Sequence, residues 1–319
     1  MQTNQPISRR RFVGTAALAG ASLPLASFTP WKHQPATTPA DKLSVHIFSK
    51  HLQFLDYPAM AEAAAEIGFD GVDLTVRPGG HVLPERATED LPKAVEAIKK
   101  QGLQPMMMTT NVIDADDPVS QQVLKTASQQ GIRYYRTNWL KYPDDRGFEE
   151  SLGIYRKQVQ KLSQMNKQVG LQGGYQNHSG LYVGAAIWDM WEILKDADPE
   201  SMGSQYDVCH GTVEGGRCWT QNLHLIHPHI KSIALKDFKW ENVDGSWKVS
   251  YTPIGEGMVD FKKYFQLLKQ YNINVPASLH MEYPIGGAEH GGRENVDQEK
   301  AFTAMKKDLQ RVHQLWQEA

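Results

Sequence analysis

Asp207 and His210, in Gln205-Tyr206-Asp207-Val208-Cys209-His210-Gly211, set a carboxylate and an imidazole where an extended run gives way to a loop. A strand tip stops alternating as it turns, so the two groups can converge on one bound ion or one substrate hydroxyl. The plainer alternative is an aspartate capping the next helix beside an unrelated histidine. Other runs end in the same way: Gln176-Asn177-His178, Lys236-Asp237 and His280-Met281-Glu282-Tyr283. Further ends carry Ser49-Lys50-His51, Arg77-Pro78-Gly79-Gly80-His81, Thr109-Thr110-Asn111 and Arg136-Thr137-Asn138-Trp139. Loops are polar by default, but Lys, Glu, Gln and Asn would then dominate them. Instead His51, His81, His178, His210 and His290 gather at these positions. Convergent titratable groups of this kind mark an active site.

Such groups need a scaffold that brings distant chain ends to one face. Strand-like runs are expected at 43–48, 70–76, 103–109, 132–138, 171–176, 202–208, 230–236 and 276–281. Helical periodicity alternates with them at 57–67, 89–101, 119–130, 148–169, 185–196, 219–227, 261–271 and 297–316. Gly68 is expected to end the first helix with a positive φ. Eight such units in about 275 residues predict an α/β single domain, a closed (β/α)8 TIM barrel over 41–319. Chemistry in such barrels gathers at the carboxyl ends of the strands. An open doubly wound sheet lacks support, because no Gly-x-Gly-x-x-Gly follows the first run. Trp240 and Trp247 flank Asp244-Gly245 and predict a hairpin insertion over 238–258. It reads either as a lid or sugar-stacking edge on the catalytic rim, or as a hairpin packed by its own tryptophans.

Ser8-Arg9-Arg10-Arg11-Phe12, followed by an apolar stretch over 13–28, reads as a twin-arginine export signal. The stretch is too short and too small-sided for a comfortable membrane span. With a Pro- and Thr-containing linker it sets 1–40 apart from the fold and predicts a periplasmic location. No further membrane span is expected in the mature domain. The leader holds Arg9, Arg10, Arg11 and Lys32 and no acid, which leaves 30 of the 34 basic residues against 36 acidic ones, a formal charge of −6. A mildly acidic body argues against nucleic acid as a partner. Cys209 and Cys218 can pair in an oxidising compartment, although a domain of this size does not need it. Cys209 can also line the site beside Asp207.

The chain resembles the xylose isomerase-like barrel superfamily, the sugar phosphate isomerase/epimerase group, in a secreted twin-arginine branch. The matching motifs are Phe69-Asp70-Gly71-Val72-Asp73-Leu74, Tyr175-Gln176-Asn177-His178 and Tyr206-Asp207-Val208-Cys209-His210. Leu235-Lys236-Asp237-Phe238, Pro253-Ile254-Gly255-Glu256-Gly257 and His280-Met281-Glu282-Tyr283 complete the set in order. The likeness spans 43–316. It implies one divalent metal (Mn, Zn, Co or Mg), held by a Glu or His from strand five, an Asp from strand six, a His from strand seven and a Glu from strand eight. Those positions are Gln176, Asp207, Ala234 and Glu282 here, so two match. The implied ligands are Asp207, Glu282 and Gln176, with His178 or His210 filling in; a metal-free site is the rival.

The resemblance also implies two carboxylates, one on each face of a sugar, that remove and return a proton beside a carbonyl. Gln176 stands in place of one of them. Glu282, His210, Lys236 and His178 are then the acid/base candidates. Lys236 is either an acid/base or clamp on an enediolate oxygen, or simply the partner of Asp237. Arg77, His81, Lys50, His51 and Asn138 are expected to hold substrate. The expected function is a sugar isomerase/epimerase acting on a small carbohydrate, in a chain that can form homo-oligomers. Its rivals are a keto-sugar lyase or dehydratase, acting on 3-keto-glycosides or inososes, and a carbohydrate-binding barrel without catalysis. A nuclease of the same superfamily needs more metal ligands and a basic groove.

Overall fold

Strand β1 (Val45–Phe48) and strand β2 (Gly71–Val76) are buried along their whole length, as strands covered on both faces must be. The structure, a computed structural model, describes residues 42–319. The twin-arginine segment lies outside the described residues. The other barrel strands are β3 (Gln104–Thr110), β4 (Tyr134–Arg136), β5 (Gln172–Gln176), β6 (Met202–Asp207), β7 (Ile230–Leu235) and β10 (Ala277–Leu279). Each pairs in parallel with its neighbours, and β10 closes the ring between β7 and β1. This is the TIM barrel expected from the alternation of elements.

The helices that cover the strands are α1 (Tyr57–Ile67), α2 (Ala87–Lys100), α3 (Pro118–Gln130), α4 (Phe148–Val169) and α5 (Ile187–Leu194). After β6 come α6 (Val208–Gly215) and α7 (Trp219–Ile226), and the ring ends with α8 (Phe261–Gln270) and α9 (Gln298–Glu318). Their apolar stripes pack against the outward strand residues. On α2, Leu91, Val95 and Ile98 are buried, the three- and four-residue spacing of one helix face. Aspartates cap several N-termini: Asp56 accepts from the amide of Ala59, and Asp117 from those of Val119 and Ser120. Gly68 ends α1 at φ 104°, the left-handed position that favours glycine.

The lumen is polar where the strands end. Ser278 on β10 donates to Asp73 on β2 at 2.6 Å, across β1, and Thr109 on β3 donates to the same carboxylate. Asp73 is fully buried, and burial pushes its carboxyl above the usual range, against the pull of Ser278 and Arg136.

Two local expectations need correction. The segment after Asp207 is not a loop: α6 starts at Val208, because Asp207 accepts from the amide of His210 at 3.1 Å. The hairpin is confirmed as β8 (Asp237–Val243) and β9 (Ser246–Thr252), turning at Asp244 and Gly245 with φ of 53° and 80°, as a tight two-residue hairpin turn requires. Of its two tryptophans Trp240 meets the Phe238 ring edge-on at 6.2 Å, whereas Trp247 is 67% exposed and does not pack the hairpin. Cys209 is buried and Cys218 exposed, both as free thiols.

Candidate active site

The strand ends meet in a small cavity of about 70 Å³ lined by Phe48, Lys50, Arg77, Arg136, Trp139, Gln176, His178, Lys236, His280 and Glu282. Every barrel strand except β3 and β6 supplies a lining residue at or just past its end. Larger grooves lie between the outer helices, away from these groups.

Asp207 stands behind the cavity wall and organises it. One carboxylate oxygen caps α6; the other faces the Lys236 ammonium at 3.1 Å and the Gln176 amide nitrogen at 2.9 Å. The capping reading and the chemical reading of this aspartate are therefore both right. Asn177 holds its backbone from both sides, donating to the Asp207 carbonyl at 2.9 Å and accepting from its amide at 2.8 Å. Gln176 turns its carbonyl oxygen to Arg136 at 3.0 Å. Reversing that amide would set oxygen against carboxylate and NH2 against guanidinium, so the network fixes its orientation.

Lys236 is 4% exposed and lies 2.6 Å from His210 Nε2. Burial is the largest single effect and works against its charge, but Asp207 first, then Cys209, Tyr251 and Glu282 around it, together hold the amine above the ordinary lysine value. His210 is neutral: burial and the neighbouring Lys236 push its imidazole well below the usual value. Nε2 accepts from the ammonium, so Nδ1 carries the proton and donates to Ser179 Oγ at 2.8 Å. Tyr251 of the hairpin lies with its ring 5.7 Å from the Lys236 nitrogen. The hairpin thus reaches the site through Tyr251; neither Trp240 nor Trp247 lines the cavity.

His178 sits between Trp139, Tyr182 and His210, with ring centroids 4.7, 5.0 and 4.1 Å away. Its Nδ1 lies 2.9 Å from the Ser179 carbonyl oxygen, which can only accept. The proton is therefore on Nδ1, and the lone pair of Nε2 has no partner among the described residues. Burial lowers the pKa of this imidazole, which keeps it neutral at neutral pH.

On the far side, after β1 and β10, Lys50 donates to both oxygens of Glu282 at 2.9 and 2.8 Å, the two side chains 14% and 16% exposed. Burial lowers Lys50 against the pull of Glu282. Burial would raise Glu282, but Lys50 and Lys236 bring it below the usual carboxylate value. Arg77 lies over the Phe48 ring at 5.4 Å, and Arg136 over Trp139 at 4.3 Å. Burial lowers the Arg136 guanidinium to about 9, so it remains a cation at neutral pH.

Four of the five expected substrate-binding positions need comment. Lys50 lines the cavity but is paired to Glu282. His51 is fully buried, with Nδ1 on the Ala288 carbonyl and Nε2 accepting from the Met281 amide, so it ties loops together and does not hold substrate. His81 is also used up: its nitrogens face Ser49 Oγ at 3.1 Å and the Leu52 carbonyl at 3.2 Å. Asn138 is not among the residues lining the cavity. Arg77 does line the cavity. Asp237 does not pair with Lys236; its carboxylate accepts from the amides of Phe238, Gly255, Gly257 and Val259 and folds the 253–259 loop. Arg136, written at a strand tip, was not read as a site residue. A charged side chain inside the run expected at 132–138, which a parallel barrel buries on both faces, was the available signal.

The implied metal ligands do not form one set. Glu282 is taken by Lys50, Gln176 offers Asp207 its NH2 and not its oxygen, and Ala234 has no donor. Asp207, Cys209 and His210 do place potential ligand atoms within 4.8 Å of one another. The Lys236 ammonium contacts two of these atoms, an Asp207 carboxylate oxygen at 3.1 Å and His210 Nε2 at 2.6 Å.

A family model described as "Xylose isomerase-like TIM barrel" matches residues 61–307. Among solved structures, a 3-keto-D-glucoside 4-epimerase from E. coli aligns at 14% identity and TM-score 0.63, over 86% of this chain and 100% of its own. A D-allulose 3-epimerase from Methylomonas sp. aligns at 14% identity and 0.62, over 86% and 98%. A probable 3-DHS dehydratase from Bacillus anthracis does so at 14% and 0.62, over 85% and 98%. At that identity the likeness is one of fold. No curated protein sequence matches the chain.

Proposed function

The chain belongs to the xylose isomerase-like TIM barrel family, and from that premise we propose that it is a sugar isomerase/epimerase-type enzyme that removes a proton from carbon beside a carbonyl. The observation that carries this reading is His178, a neutral imidazole with a free Nε2 in a cavity lined by the cations Lys50, Arg77, Arg136 and Lys236. A carbon acid beside a carbonyl becomes accessible only when the charge developing on oxygen is stabilised. His178 Nε2 takes the proton; Lys236 and Arg136 face the oxygen that becomes an enediolate.

In the ring order β5 and β1 lie four strands apart, on opposite sides. His178 follows β5 and Lys50 follows β1, so the two groups flank a substrate held between them. Protonation of the enediolate by Lys50 on the face opposite His178 inverts the carbon. The imidazolium and the free amine left behind then reset by exchange with water. Glu282 orients Lys50, and its carboxylate favours the ammonium form that water restores.

A second reading shares the first step. An ammonium suits protonation of a departing hydroxyl better than a carboxylate does, so the Lys50–Glu282 pair also fits elimination of water from a keto-sugar. Incubation with ketohexoses and 3-keto-glucosides, resolved by chromatography, separates the two. The proposal expects a new stereoisomer of at least one ketose; an unsaturated product instead assigns elimination. No conversion of any member of the panel, with sugar binding retained, contradicts the enzyme reading and leaves a binding barrel.

A further inference from the structure

We propose that the side-chain ammonium of Lys236 is the built-in cation of this site and takes the position that the family resemblance assigns to a divalent metal ion. Asp207 is the strand-six ligand position of that resemblance, and its inward oxygen is the one that meets Lys236 Nζ at 3.1 Å. His210 Nε2, 3.8 Å from the same oxygen, meets that nitrogen at 2.6 Å. The ammonium thus already meets the carboxylate oxygen and the imidazole nitrogen that a metal here would need as ligands.

The register shows how the exchange is built. Ala234 on β7 pairs with Asp207 on β6, so it is the strand-seven position from which a ligand would reach the site. Its methyl group leaves room there. Lys236, two residues on, points to the same side and supplies the positive charge from the end of the same strand. The remaining ligand positions follow suit: Gln176 presents a donor to Asp207, and Glu282 is neutralised by Lys50. Each carboxylate that a metal would need has a covalently tethered cation in its place.

The inference goes beyond the proposed reaction, and its test needs no substrate, so the outcome is independent of any turnover. The probe is Co²⁺, followed by its ligand-field absorption and by metal content after gel filtration. Wild type is expected to retain no Co²⁺ and to show no inner-sphere spectrum. Lys236→Ala leaves Asp207 without its counter-charge and opens the Asp207, Cys209 and His210 cluster. This variant is expected to take up roughly one equivalent, with the absorption of a thiolate- and imidazole-bound ion. Lys236→Met, closer in volume, serves if the alanine variant does not fold. Stoichiometric Co²⁺ in wild type, lost in Asp207→Ala, overturns the proposal without recourse to any Lys236 variant. A folded Lys236 variant that takes up no ion overturns it as well.

Discussion

Replacing His178 by Gln is expected to lower kcat by roughly a thousandfold, about 4 kcal/mol of barrier, with little change in KM. Glutamine keeps much of the bulk that packs against Trp139, Tyr182 and His210, but it has no basic nitrogen. The pH profile supplies an independent readout. Burial depresses the His178 pKa, so the base form persists below the pH at which a free histidine becomes protonated. In wild type, kcat/KM should fall on the acid side through a pKa lower than 6.5, and that limb should disappear in the variant's residual activity. A loss of less than about tenfold would place the base elsewhere, with Glu282 the next group to replace.

The second large effect is on stability in acid. His46 and His51 are fully buried, and burial lowers their pKa values from 6.5 to about 4 and about 3. Burial holds His81 near 4 and His210 and His280 well below their ordinary value. The unfolded chain binds these protons at ordinary values, so below pH 6.5 it holds more protons than the fold does. Stability is therefore present above the unfolded pKa and lost as pH falls toward the folded values. At pH 4.5, two units below the free value, each imidazole still neutral in the fold costs about 2.7 kcal/mol.

For His46, His51 and His81 together that is about 8 kcal/mol, comparable with the whole stability of a typical domain, roughly 5–15 kcal/mol, and His210 and His280 act in the same direction. Asp308 works the other way. Burial raises its carboxyl to about 6, so protonation at lower pH favours the fold, by about 2 kcal/mol at pH 4.5. Asp73 and Asp237 are also raised by burial and add to that offset. The histidines outnumber them, and the urea midpoint should drop steeply between pH 6.5 and 4.5. A midpoint flat across that range would mean that the buried imidazoles are hydrated or already protonated in the fold.

Much of the scaffold was legible in the sequence because its punctuation is local. The helices at 57–67 and 148–169 have the boundaries expected of them, the first closed by Gly68 and both carrying an apolar stripe. The strands are shorter than expected at several ends: the run at 132–138 forms a ladder only over Tyr134–Arg136. Helix α6 is legible only through the capping alternative for Asp207, because Val208-Cys209-His210-Gly211 has no helical periodicity of its own.

At the site, residue types at the strand ends located the cavity, and Arg77, Gln176, His178, Lys236 and Glu282 all line it. Their partners could not be read. Lys50 and Glu282 are 232 residues apart, and nothing near either residue in the chain indicates that one neutralises the other. His51 and His81 look the same in sequence as His178. Only the hydrogen bonds at both of their ring nitrogens show that two are structural and one has a nitrogen free.

The central claim is proton removal beside a carbonyl, and the most direct measurement is exchange of that proton with solvent. A responsive ketose incubated with the enzyme in D2O, followed by proton NMR, should lose the signal of one C–H next to the carbonyl, with deuterium at that carbon in substrate or product. His178→Gln should leave the signal intact over the same period. Conversion of the sugar with no deuterium at carbon would contradict the account and move the reaction away from an enediolate.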